Sequence, residues 1–165
     1  MARVLELRTV NIAVPDLEQA AAAFEKLGVA HNQPHFYDKP PAQMVDVAFR
    51  CPGGAGWSLI SPVGDDNPVG RFLRKRGPGI YSMTLRVDDL VEAMREWGTK
   101  GLQWAHAEPA VFPNASVPPF RVEKLLMNWI KPSSLNGILV EVVEFAGAIT
   151  DETDASSRSN PLPPT

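Results

Sequence analysis

A single cysteine occurs among the 165 residues, so no intramolecular disulfide can form and a cysteine-built structural zinc site is excluded. That residue, Cys51, precedes "PGG" and reads as a small apolar side chain at a strand end rather than as a nucleophile. No apolar run approaches the roughly 18 residues needed to cross a bilayer. The opening "MARVLELRTV" lacks the charged, apolar and small-residue regions of a secretion signal, which makes cytoplasmic the expected location. Charge of one sign is also scarce. The formal net charge is −3, and the one basic cluster is "RFLRKRG" at 71–77. It reads as a solvated helix face, with a patch for a phosphate-bearing ligand as the sharper alternative. Neither nucleic acid nor a membrane is an expected partner.

What is present is a core and a repeat. The hydrophobic fraction is 44%, that of a globular domain. "TVNIAVPDLEQAAAAFEKLGV" from Thr9 and "SMTLRVDDLVEAMREWGTKGL" from Ser82 share one plan: strand, acidic turn, amphipathic helix, then glycine. "MVDVAFRC" and "GWSLISPV" read as strands joined by the turn "PGGAG". "NPVGRFLRKRG" reads as a short helix with proline at its start and glycine at its end. In the second half, "LQWAHAEP" is expected as a short strand, and "RVEKLLMNWIK" and "GILVEVVEF" as longer ones. The proline-rich "EPAVFPNASVPPF" between them is expected as a loop, long enough for a lid or site wall. The order β-α-β-β-β thus occurs twice. Expected boundaries are a first module at 1–66, a linking helix at 67–78, a second module at 79–148 and a disordered tail at 149–165.

"NIAVPDLEQA", "SPVGDDNPVGRFLRKRGPGIYSMTLRVDDL" and "GILVEVVEF" resemble the vicinal oxygen chelate (glyoxalase/bleomycin resistance/dioxygenase) superfamily, and within it the methylmalonyl-CoA epimerases. The resemblance covers roughly residues 5–146. It implies an α+β fold in which two βαβββ modules form a curved mixed sheet around a cup-shaped site. Strand alternation then gives the inward residues. These are Thr9, Asn11 and Ala13; Met44, Asp46 and Ala48; Ser58 and Ile60; Ser82 and Thr84; and Leu139, Glu141 and Val143. Asn128 and Trp129 are adjacent on a strand, so one of them faces in.

The family's metal ligands, typically His, Gln or Glu, His and Glu, map here onto Thr9, Ser58, Ser82 and Glu141. Neutral hydroxyls are poor ligands for a divalent transition ion, so the expectation is no metal and no cofactor. His31, His35 and His106 are the only imidazoles from which another site could be assembled, and they read as scattered rim residues. The resemblance also implies a catalytic carboxylate on the strand of Asp46. Asp46 and Glu141 are therefore the candidate acid/base pair. Thr9, Asn11, Ser58, Ser82, Thr84 and Asn128 are the candidate substrate-binding residues.

Three readings follow. One is a metal-independent enzyme doing acid/base chemistry (isomerase, epimerase, cyclase or lyase) on a small oxygenated substrate. Another is a non-catalytic small-molecule binding or resistance protein. The last is a divergent methylmalonyl-CoA epimerase. The resemblance further implies a homodimer.

Overall fold

The computed structural model describes residues 1–37, 43–51, 55–64, 67–117 and 120–151. In chain order the elements are β1 (Val4–Ala13), α1 (Leu17–Glu25), β2 (His35–Tyr37), β3 (Met44–Arg50), β4 (Gly56–Pro62) and α2 (Pro68–Arg76), then β5 (Gly79–Val87), α3 (Leu90–Thr99), β6 (Ala110–Val117), β7 (Phe120–Ile130) and β8 (Leu139–Asp151), with a 3-10 turn at Pro132–Ser134. The strands run in the order β2-β3-β4-β1 in the first half and β6-β7-β8-β5 in the second. Each half has one parallel pairing, β1 with β4 and β5 with β8, and the rest are antiparallel. The α+β class and the doubled βαβββ order are thus as expected.

The described residues divide into two compact units, one of Thr9–Tyr81 and one of Met1–Arg8 with Ser82–Asp151. Helix α2 therefore belongs with the first unit, and the first eight residues belong with the second. Strand β8 continues to Asp151, beyond the boundary expected at 148. The remainder of the expected tail, 152–165, and the turn residues 52–54 lie outside the described residues.

Local chemistry sets the helix starts. Asp16 accepts the Gln19 amide at 2.9 Å, Asp89 that of Glu92 at 2.8 Å, and Asn67 that of Gly70 at 2.8 Å. Each satisfies a donor that the first helical turn leaves without a partner. Gly77 ends α2 with φ +74, a conformation that glycine reaches without strain. On one face of the first sheet, Val14, Val47, Phe49 and Leu59 pack against Leu17, Ala20, Ala21 and Phe24 of α1. The opposite face carries Ala13 and Ile60, which pack with Val69 of α2. In the second unit, Val87, Ile130, Val140 and Val142 pack against Leu90 and Ala93 of α3.

Two sequence expectations fail together. "LQWAHAEP" forms one isolated bridge, Trp104 to Ile130, and no strand. The strand lies instead in the proline-rich stretch expected as a loop, as β6 paired antiparallel with β7. Edge position is the reason: β6 ends the order, so the missing amide of Pro113 leaves no ladder bond unmade on that side.

Candidate active site

Register fixes which residues share a face, because directly paired positions point the same way. In the first unit Asp46 pairs with Ile60 and with His35, Ile60 with Ala13, Ala48 with Ser58, and Ser58 with Asn11. All of them therefore lie on the face opposite α1. Thr9 lies on it too, paired with Gly56. Thr9, Asp46 and Ser58 are buried.

Asp46 is the group with work to do. Its Oδ2 accepts the Ser58 hydroxyl at 2.8 Å. Its Oδ1 is buried and accepts no hydrogen bond, and Nδ1 of His35 lies 3.9 Å from it. Burial pushes its pKa above the ordinary carboxylate value, while Ser58, His35 and Arg50 pull the other way and recover only part of the shift. A carboxylate with a raised pKa, one anchored oxygen and one bare oxygen is built to take a proton.

The second unit holds its own carboxylate. Ser82 pairs with Leu139, Thr84 with Glu141, and Glu141 with Trp129, all on the face opposite α3. Glu141 Oε1 accepts the Thr84 hydroxyl at 3.0 Å and Oε2 accepts Trp129 Nε1–H at 3.1 Å. Desolvation raises its pKa, and the two donors offset part of that. Each unit thus buries one acid and supplies it with a hydroxyl from the neighbouring strand.

One assignment is corrected. Asn128 is not with Glu141. It lies on the α3 face, fully buried, where its Nδ2 donates to the His106 carbonyl at 2.9 Å and contacts Met94 Sδ at 3.4 Å. Its Oδ1 accepts the amides of His106 and Trp129. With donors and acceptor used, it holds the 104–109 segment to β7. Trp129 is the inward neighbour. Of the histidines, His31 packs at a tilt against Phe49 on the α1 side and pairs with Glu25 at 3.1 Å. His106 packs edge-on to Trp129, and only His35 stands beside a candidate acid. His35, expected as a scattered rim histidine, pairs instead with Asp46 from the three-residue strand β2.

At the four positions that the superfamily resemblance assigns to metal ligands, Thr9, Ser58, Ser82 and Glu141, stand three hydroxyls and one carboxylate, a poor donor set for a divalent transition ion. The Ser58 hydroxyl is already committed to Asp46, and both Glu141 oxygens already accept protein donors. Among the described residues no three His, Cys, Asp or Glu side chains converge as ligands.

The family profile of the glyoxalase/bleomycin resistance protein/dioxygenase superfamily matches residues 9–115, and the chain belongs to that superfamily. Its relatives include the ethylmalonyl-CoA/methylmalonyl-CoA epimerase of Cereibacter sphaeroides, 30% identical over 147 residues that cover 82% of this chain and 95% of that protein. The mitochondrial methylmalonyl-CoA epimerase of Bos taurus is 28% identical over 146 residues, covering 82% of this chain and 72% of that one. The crystal structure of methylmalonyl-CoA epimerase from Mycobacterium tuberculosis superposes with a TM-score of 0.73 at 27% identity, covering 87% of this chain and 90% of that one.

Proposed function

We propose that this protein is an epimerase-type isomerase that moves a proton at the carbon beside the carbonyl of a CoA thioester, without a metal ion. The observation that carries the reading is Asp46: buried, anchored by Ser58, raised in pKa, and with Oδ1 accepting no hydrogen bond. The names of the relatives support the thioester as substrate.

Epimerisation removes a proton from one face of the carbon and returns one to the other. In this reading Asp46 takes the proton through Oδ1 as the C–H electron pair passes into an enolate, and a proton returned to the opposite face completes the turnover; Glu141 is the second acid proposed for proton transfer. Burial raises the pKa of both acids, the direction that suits a group exchanging protons with a carbon. Ser82 and Thr9, both buried hydroxyl residues, are assigned to the substrate oxygens, and Asn11 to the same face as Ser58. Neutral donors aimed at a developing oxyanion do part of what a metal does elsewhere.

The test is the rate of methylmalonyl-CoA epimerisation by Asp46→Asn and Glu141→Gln. Each is expected to lose about 10²–10⁴-fold in turnover with the fold intact. Full turnover in both variants overturns the assignment. If the wild type binds thioesters without turning them over, and both variants bind equally well, the protein is a binder rather than an enzyme. We further propose that it is a homodimer; a monomer mass by light scattering at micromolar concentration contradicts this.

A further inference from the structure

We propose that His35 is a positioning residue that carries the proton of Asp46 to solvent, and so returns that acid to its charged form between turnovers. The proposal rests on the reading of Asp46 as the acid/base group. In that reading the proton taken from one face of the carbon is not the one returned to the other. Asp46 therefore still holds it when product leaves, and must lose it before acting again. The Asp46 side chain is 11% exposed, so the exchange needs a route.

His35 stands where such a route begins. It pairs directly with Asp46 across β2 and β3, and its Nδ1 is 3.9 Å from Oδ1. That is the oxygen which accepts no hydrogen bond, whereas Oδ2 is held by Ser58. At this separation the two atoms make no hydrogen bond, which leaves Oδ1 open to a substrate C–H. A small side-chain shift or one water closes the gap once Oδ1 carries a proton. The His35 side chain is 49% exposed, so one residue reaches from the buried oxygen to solvent. Imidazole is also the side chain that gains and loses a proton near neutral pH. The other charged group acting on Asp46 is Arg50, on β3 itself, and a guanidinium exchanges no proton in that range.

The placement is built into the chain. Strand β2 ends the strand order and pairs with β3. The residues before it are fastened to β3 as well. The Asn32 amide donates to the Ala48 carbonyl at 3.1 Å, Asn32 Oδ1 accepts the Ala48 amide at 2.7 Å, and the Arg50 amide donates to the Ala30 carbonyl at 3.0 Å. Pro34 then restricts the backbone between this anchor and His35. The register is thereby held, and directly opposed residues carry their Cβ atoms about 4.5–5.5 Å apart. The step itself is one proton transfer. Asp46 Oδ1–H gives its proton to Nδ1, whose lone pair forms the new N–H bond while the O–H pair stays on the carboxylate. The imidazolium then releases a proton to water or to a buffer base.

Turnover of methylmalonyl-CoA by the full-length protein tests this. His35→Gln and His35→Ala are expected to lose about 10²-fold in kcat, the low end of what a positioned proton transfer contributes, with KM within about two-fold of wild type. Both should keep the fold, because the side chain is half exposed on an edge strand. Free imidazole added to His35→Ala should restore much of the lost kcat and saturate, while leaving wild type and Asp46→Asn unchanged. A purely structural role for His35 would not respond to a diffusing base. Wild-type kcat in His35→Gln, or a loss in His35→Ala that imidazole does not relieve, overturns the proposal; the Asp46 reading then stands as long as Asp46→Asn is impaired. No turnover by wild type, or full turnover by Asp46→Asn, overturns the acid/base reading itself and the relay with it.

Discussion

At the scale of the residue, what matters is how an acid is kept where water cannot solvate it. Asp46 survives burial on one hydroxyl, and Glu141 on a hydroxyl and an indole N–H. Glu141 has both oxygens engaged, whereas Asp46 has one bare. Folding raises the Asp46 pKa, so its protonated form suits the fold better than its charged form. The stability it contributes is therefore complete below the unfolded value of about 3.9 and is lost as pH climbs through the folded pKa. Asp46→Asn keeps an acceptor for Ser58 and removes the titration. Its melting temperature should exceed that of wild type at pH 8, and the gap should close as the pH falls toward about 4. A gap that is constant with pH contradicts the burial argument. Asn128 makes the opposite case. Asn128→Ala leaves the His106 and Trp129 amides and the His106 carbonyl without their buried partner, and should cost about 2–4 kcal/mol by denaturant unfolding. Loss of ligand binding with unchanged stability would restore Asn128 to the site.

At the scale of the element, period-2 alternation made most of the site legible in the sequence. Asp46, Ser58, Thr84 and Glu141 share faces as the alternation predicts, because β3, β4, β5 and the relevant part of β8 pair without a break. Where the sequence misled, the cause was local. Proline in "EPAVFPNASVPPF" argued for a loop, but an edge strand tolerates it. Alternation alone could not choose between Asn128 and Trp129; the cross-strand register with Glu141 chooses. The β3–β4 hairpin also depends on a backbone approach. A Cβ at Gly56 would be driven into the Phe49 carbonyl oxygen, which is main chain and cannot rotate away. Gly56→Ala should destabilise by about 1–3 kcal/mol and loosen the Asp46–Ser58 pair with it. Wild-type stability in that variant would show that the hairpin yields more easily than its register implies.

At the scale of the whole molecule, the doubled βαβββ unit explains why the chain opens each copy on a hydroxyl residue. Thr9 and Ser82 occupy positions where the superfamily resemblance places metal-binding histidines, and both are buried. The central claim is that Asp46 moves a proton at a substrate carbon without a metal. Its most direct test is deuterium incorporation from D2O into the α-carbon of methylmalonyl-CoA, followed by mass spectrometry with a chelator present throughout. Wild type should exchange the proton well above the uncatalysed rate, and Asp46→Asn should exchange it about 10²–10⁴-fold more slowly. Exchange by wild type that stops when the chelator is added, or that proceeds equally fast in Asp46→Asn, would contradict the account.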